Sequence, residues 1–243
     1  MSEATMDGDP TAQAPYWQEQ TQNEDCMEMS TADIIGQITG DEPTEQQITD
    51  TALDQQSDSD PGNAIYSVQD GSSLKDDPEL FADYGIQAQY SDGTESGSDA
   101  SSMQSLEQDL ASGDRVIVGV DGQKIWDADG MSVKDPDHMD HAVVVTGVDA
   151  ADGMVYLNDS GVPSGEDEAV PISTFEQAWE TGKDQMVTVD DPSGQSTSTT
   201  TTTTDNQYNP LEPPSPDDTT TTLPTQSQAV EEAVMAEIQD LLG

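Results

Sequence analysis

The chain has 243 residues, with 51 Asp and Glu against 5 Lys and Arg, giving a formal net charge of -46. So acidic a chain excludes nucleic acid as an expected partner, because phosphate binding needs a cationic surface, and it argues against docking on anionic lipid. A hydrophobic share of 32% is low for a fully globular chain of this length, so part of it is expected to be unfolded.

The acidic residues are spread along the chain rather than gathered in one tail. That favours a solvated, self-repelling surface, with high-salt adaptation and cation binding as the other meanings acidity can have. One cysteine cannot make an intramolecular disulfide, so pairing says nothing of the compartment. The opening Met1-Ser2-Glu3-Ala4-Thr5-Met6-Asp7 has no basic stretch followed by an apolar one, and no apolar run reaches membrane-spanning length. A cytoplasmic protein, or one exported by a non-classical route, is the expectation.

Residues 1–14 are polar, contain Gly8 and Pro10 and lack periodicity, which predicts an unstructured arm. Residues 15–190 carry nearly all the patterned apolar content and are expected to form the folded domain. A helix is predicted from about Cys26 to Ile35, broken near Gly36 and Gly40. A second follows Asp41-Glu42-Pro43. There Thr44 and Gln47 have capping-box spacing, and Ile48, Ala52 and Leu53 form the buried stripe. Pro78 to Tyr84 reads as a short helix stopped by Gly85, and Ile86 to Tyr90 as a strand. Ser102 to Leu110 is a further helix, apolar at Met103, Leu106 and Leu110 and ending at Gly113.

The rest of the domain reads mostly as sheet. Arg115 to Val120 is a buried strand. Ala142–Val148 and Met154–Leu157 form a hairpin through Asp149-Ala150-Ala151-Asp152-Gly153. Ser173 to Glu180 is a short helix burying Phe175, Ala178 and Trp179, and Met186 to Val189 is the last strand. Helices first and antiparallel strands second is an α+β pattern. Residues 191–226 hold the run Thr199 to Thr204, several prolines and the run Thr219 to Thr222, the composition of a disordered linker. Residues 227–243 recover helical periodicity, with Val230, Val234, Ile238, Leu241 and Leu242 on one face. So short a helix is marginal alone, so it either packs on its own domain or engages a protein partner.

Nucleophile and base chemistry must come from Cys26, His138 and His141, the only cysteine and histidines. Cys26 opens a predicted helix, where the positive end of the macrodipole favours a thiolate. The alternative is an ordinary small buried residue. His141 stands at the edge of the valine-rich strand, whereas His138 sits in the polar loop Asp135-Pro136-Asp137-His138-Met139-Asp140. Antiparallel pairing of the two hairpin strands would bring Asp159 near the His141 imidazole. Asn158 is the neighbouring candidate, but successive strand side chains face opposite ways, so only one of the two can serve. A thiolate that attacks a carbonyl, an imidazole that shuttles the proton and an acid that orients the ring make a complete mechanism. Metal ligation by His138, His141 and Cys26 lacks a further soft ligand. Asp127-Ala128-Asp129-Gly130 and Asp58-Ser59-Asp60 read as turns, because neither continues into a calcium loop. No metal or cofactor is expected.

Several segments together carry a family resemblance. They are Gln20-Thr21-Gln22-Asn23-Glu24-Asp25-Cys26, Ile34-Ile35-Gly36-Gln37-Ile38-Thr39-Gly40, Pro43-Thr44-Glu45-Gln46-Gln47, His141-Ala142-Val143-Val144-Val145-Thr146-Gly147 and Asn158-Asp159-Ser160-Gly161. They resemble the bacteriocin-processing, double-glycine-leader cysteine peptidases, most closely the stand-alone bacterial members that carry no transporter. The resemblance covers roughly residues 15–190. It implies a papain-like fold, with N-terminal helices packed on an antiparallel sheet, and a peptide or protein substrate. It implies Cys26 as nucleophile, His141 as base, Asp159 as orienter and Gln20, six residues before the cysteine, as side-chain oxyanion donor, with Gln18 and Gln22 as its rivals. One departure stands out: the family usually has glycine after the cysteine, and this chain has Met27. A different class of reading is the same fold as a catalytically silent interaction module, using the acidic surface and the C-terminal helix. A third is an acyl transferase with an amine acceptor. The reactivity of the thiol separates a working site from a silent one.

Overall fold

The structure, a computed structural model, describes residues 6–93, 102–128 and 138–191. The linker expected from residue 191 and the helix expected over 227–243 lie outside these residues, Asp191 excepted. The strands are β1 (Met6–Gly8), β2 (Ala88–Ser91), β3 (Arg115–Val120), β4 (His141–Asp149), β5 (Met154–Asn158), β6 (Glu168–Pro171) and β7 (Met186–Val189). They form one sheet in the order β2-β7-β3-β4-β5-β6, with β1 added to β4. Every pairing is antiparallel. The helices are α1 (Pro10–Gln13), α2 (Cys26–Thr39), α3 (Glu45–Asp54), α4 (Asp77–Asp83), α5 (Ser102–Ser112), α6 (Gly122–Ala128) and α7 (Ile172–Thr181). Among the described residues no helix is long and apolar enough to cross a membrane.

The α+β class read from the sequence is the class observed, and both faces of the sheet are covered. Ile34 and Ile35 of α2, Ile48 of α3 and Phe81 of α4 pack with Ile117, Val144 and Val187 on one face. Leu106 of α5, Ile125 of α6 and Phe175 and Trp179 of α7 pack with Val116, Val118, Val143 and Val145 on the other. Alternate residues of β3 and β4 thus enter different cores, which is why both strands read as unbroken apolar runs. Full burial of such a side chain stabilises by roughly 1.5–3 kcal/mol.

Several expectations are corrected. The unstructured arm over 1–14 does not hold for its described part. β1 pairs Met6, Asp7 and Gly8 with Asp149, Val148 and Gly147. The Asp9 side chain then caps α1 by accepting from the Ala12 amide. Gly8 lies at φ +91, and a Cβ there would stand 2.4 Å from the Thr146 carbonyl oxygen, so glycine is what lets the arm dock. Nor is the first helix broken at Gly36. It runs on to Thr39 and ends at Gly40, whose φ of 75 makes a left-handed cap. Gly36 serves packing instead, since a Cβ would meet the Tyr16 ring at 2.8 Å and Glu42 at 2.7 Å. Leu53 is 47% exposed rather than part of the α3 stripe. The turn expected at Asp127-Ala128 is the end of α6, an element that periodicity did not announce.

α2 carries polar groups into the interior, and each named here finds a partner. The Ser30 hydroxyl donates to the Ala142 carbonyl at 3.2 Å, tying α2 to β4. The Thr31 hydroxyl contacts Asp77 of α4 at 2.6 Å. Asp33 accepts from the Asn158 side chain at 2.7 Å, tying α2 to the end of β5. These links fix the helix against the two strands that bear the site.

Candidate active site

Cys26 is the first residue of α2, half-buried, with Asp25 at the cap position. His141 is the first residue of β4 and pairs with Val120, the last of β3. Asp159 follows the last residue of β5. The start of α2 and the two strands of a hairpin far downstream therefore converge at one end of the sheet. His141 Nε2 meets Asp159 Oδ1 at 2.6 Å, and both side chains are buried. Cys26 and the same histidine line one cleft. With Nε2 committed to the carboxylate, Nδ1 is the nitrogen left for the sulfur.

Asp159 is held from several sides. Its Oδ2 accepts from Trp126 Nε1 at 2.9 Å, and its Oδ1 also accepts from the Gly161 amide at 2.7 Å. Its backbone carbonyl accepts from Trp17 Nε1 at 2.6 Å. The Trp126 ring lies against the imidazole, with centroids 5.1 Å apart. Two glycines make room for that ring: a Cβ on Gly161 would stand 2.9 Å from His141 Cε1, and one on Gly122 would stand 3.0 Å from His141 Cβ.

The electrostatics follow from this packing. Burial opposes charge on His141, but the Asp159 carboxylate and then the Cys26 thiol hold its pKa well above the ordinary value. Burial likewise opposes charge on Asp159. His141, Trp126 Nε1–H and the Gly161 amide overcome it and keep the carboxyl below its usual range. An imidazolium paired with a carboxylate is the favoured state of the two.

Gln20 sits beside this cluster. Its amide donates to the Ser160 carbonyl at 2.9 Å, and its side-chain oxygen accepts from the Ser160 hydroxyl at 3.0 Å. Its side-chain nitrogen reaches the Gln22 carbonyl at 3.3 Å. The two rivals face elsewhere: Gln18 donates to Glu42 at 2.5 Å, and Gln22 to Thr49 at 3.4 Å. Gln20 alone of these glutamines is thus fastened to the loop that carries Asp159.

A cleft of about 250 Å³ opens at the thiol, lined among others by Cys26, Met27, His141, Leu74, Met139 and Asp140. His138 stands exposed on the same wall, while His141 is the histidine that meets Asp159. Met27 is only 2% exposed and is part of the core behind the cysteine. Among the described residues no group of three or more His, Cys, Asp or Glu is arranged to hold a metal ion.

Cys26, His141 and Asp159, chosen from sequence, come together in space, and Gln20 lies alongside. Asn158, the alternative to Asp159, faces away toward Asp33 and the Gln13 carbonyl. Sequence reasoning missed Trp126, Trp17, Gly122 and Gly161. The one available signal was a tryptophan, Trp126, standing in a polar stretch between the sheet strands.

A family model described as Peptidase_C39 like family matches residues 13–187. Uncharacterized proteins of Mycobacterium bovis and Mycobacterium tuberculosis are each 44% identical to this chain over 198 residues, covering 75% of it and 83% of the relative. Among solved structures, a Bacillus anthracis protein assigned as a C39-like peptidase superposes with a TM-score of 0.53 at 19% identity, over 74% of this chain and 96% of that one. That likeness speaks for the fold. A double glycine motif protease from an AMS/PCAT transporter, in complex with the leader peptide, reaches a TM-score of 0.40 at 14% identity, over 70% of this chain and 86% of that one. It is too distant to carry an argument about this chain.

Proposed function

The chain belongs to the peptidase C39-like family, and from that premise we propose that it is a cysteine peptidase acting through Cys26, His141, Asp159 and Gln20 on a peptide or protein substrate. The observation that carries the reading is one buried imidazole bonded to Asp159 at 2.6 Å that lines the same cleft as Cys26.

In this reading Cys26 passes its proton to His141, and the sulfur attacks the peptide carbonyl carbon. The carbonyl π pair moves onto oxygen. The Cys26 amide at the start of α2 and the Gln20 side-chain amide would stabilise that oxyanion. The C–N bond then breaks, the imidazolium protonates the departing amine, and a thioester remains on Cys26. His141 next takes a proton from water, hydroxide adds to the thioester, and the thiolate leaves with the imidazolium restored. Asp159 keeps the ring oriented and its charge compensated throughout. Met27 leaves this scheme intact, because its side chain packs into the core.

The test is the pH dependence of Cys26 alkylation by iodoacetamide in the wild type and in His141→Ala, at low and high salt. Rapid labelling at pH 5–6 that disappears in His141→Ala supports the pair. Slow labelling that follows an ordinary thiol, unchanged by the substitution, overturns the reading and leaves a papain-like fold without a working site.

A further inference from the structure

Trp126 holds the acid of the proposed site, and it stands on α6, a helix of only seven residues. So short a helix is marginal on its own, so whatever seats it is part of the site. Ile125 anchors its middle in the core beside Phe175 and Trp179 of α7. Asp121, just before it, donates its amide to the Ala178 carbonyl at 3.0 Å. The Lys124 ammonium bonds the Asp121 carboxylate at 2.5 Å and the Thr181 hydroxyl at 3.0 Å. These hydrogen bonds join α6 to α7, and none of them reaches the strand that begins at His141.

The bond that crosses to that strand comes from Asp140, the residue before His141. Its Oδ1 accepts from the Gly122 amide, the first of α6, at 2.9 Å. Its own amide donates to the Val120 carbonyl at 3.1 Å, which continues the β3–β4 pairing and fixes its backbone. Gly122 is where a shift of α6 would reach the site. A Cβ there would stand 3.0 Å from His141 Cβ and 3.1 Å from the Trp126 ring, so both side chains pack close to it. One helical turn on, Trp126 sets its ring 5.1 Å from the imidazole and its N–H on Asp159 Oδ2 at 2.9 Å.

We propose that Asp140 is a positioning residue of the site: its bond to the Gly122 amide seats α6 so that Trp126 meets both His141 and Asp159. Its role in turnover rests on the peptidase reading above, whereas the seating of Trp126 does not. Asp140 acts through the bond rather than through its charge. An amide oxygen in its place would still receive Gly122, and a methyl group would not. Without the bond the start of α6 moves off β4, the Trp126 N–H leaves Asp159, and the carboxylate that compensates the imidazolium loses a donor. Asp140 is exposed at the cleft, so replacing it opens no cavity in the core.

The experiment uses the full chain, labelled with nitrogen-15. Its three indole N–H resonances belong to Trp17, Trp126 and Trp179, and Trp126→Phe identifies the one to follow. Iodoacetamide labelling of Cys26 across pH 3–8 supplies the acid limb. Asp140→Ala should shift the Trp126 resonance and raise the acid limb by about half a pH unit or more, about threefold in rate below the limb. Asp140→Asn loses the same charge but keeps an acceptor, and should leave both readouts close to wild type. The other titratable groups lining the cleft, Glu24, Cys26, Asp70, His138 and His141, are common to the two variants, so the difference between them reads the bond. In a Trp126→Phe background Asp140→Ala should add nothing to the acid limb, because the residue it acts through is gone. Should Asp140→Ala not fold, Gly122→Ala crowds the same seat and should move both readouts; a wild-type resonance and limb in that variant overturn the proposal. An acid limb displaced alike in Asp140→Ala and Asp140→Asn overturns it in favour of a charge effect. A full further shift on top of Trp126→Phe overturns the route through Trp126. Slow labelling at every pH, unchanged by His141→Ala, sinks the peptidase reading and the role in turnover with it, and the indole resonance then still decides whether Asp140 seats Trp126.

Discussion

Replacing Trp126 by phenylalanine isolates what holds the buried acid. Asp159 Oδ1 is shared by His141 and the Gly161 amide, whereas its Oδ2 takes Trp126 Nε1–H at 2.9 Å. Phenylalanine keeps an aromatic ring beside the imidazole and removes only that donor. The carboxyl is 0% exposed, so water does not replace the bond. A hydrogen bond to a charged group contributes roughly 1.5–3 kcal/mol. At roughly 2–4 °C per kcal/mol for a chain of this size, the melting temperature should fall by about 3–12 °C. The sign follows from the lowered pKa of Asp159. Its stabilisation is present above the unfolded carboxyl pKa and is lost as pH falls through the folded one, so the variant should differ most at neutral pH and least in acid. The same free energy moves the carboxyl back up by roughly 1–2 pH units, at about 1.4 kcal/mol per unit. The acid limb of Cys26 labelling should rise by that amount. Thermal melts by circular dichroism and mass-spectrometric labelling across pH 3–8 read both effects. A variant with the wild-type melting temperature and the wild-type acid limb would refute the role given to this bond.

Asp77 is buried and pushed up to about 7 by desolvation, against the partial relief of Thr31. Between pH 4 and 7 the native state therefore holds a proton that the unfolded state has released, so stability falls as pH rises, by on the order of 4 kcal/mol for this residue. Asp77→Asn cannot titrate, and urea melts should show a flatter pH dependence; parallel curves would contradict the assignment. Met27→Ala should cost about 2–5 kcal/mol, and should speed labelling of Cys26 by bulky thiol reagents more than by iodoacetamide, because Met27 lines the cleft. Equal acceleration of both would mean that Met27 does not narrow the entrance. With a net charge of -46, the melting temperature should climb as salt is raised from about 0.01 to 1 M, over which the Debye length shrinks from about 30 to 3 Å; a fall would rule out self-repulsion as the dominant surface effect.

What the sequence disclosed was local. The valine runs of β3 and β4, the reciprocal Thr44–Gln47 cap and the left-handed glycine ending α2 are each written within a few neighbouring residues. Gly36 read as a break because its reason, the Tyr16 ring and Glu42 pressed against the helix, is tertiary. β1 has three residues, too few to show a period, and its register depends on Gly8 fitting against Thr146. The scarcity of cysteine and histidine made Cys26 and His141 candidates at once, and hairpin pairing added Asp159. Trp126 and Trp17 escaped notice because an indole N–H advertises no partner until the fold supplies one. The buried carboxyls escaped because in so acidic a chain one carboxyl is indistinguishable from the next.

That last difficulty also explains how the site stands out once the fold is known. Asp25, Glu28, Asp33, Asp77 and Asp159 are all buried carboxyls. Burial pushes the first four up to about 7, 8, 7 and 7. In a chain carrying -46, each further ionisation also works against the field of the rest, so the interior accommodates acids as neutral hydrogen-bonding groups. Asp159 moves the opposite way although it is buried as deeply, because it faces His141 and two N–H donors. The same negative field that keeps its neighbours protonated favours an imidazolium at His141. An excess of acid thus does more than coat the surface. It makes the carboxylate–imidazolium pair the exception among these five carboxyls, and the lone thiol shares its cleft with that pair.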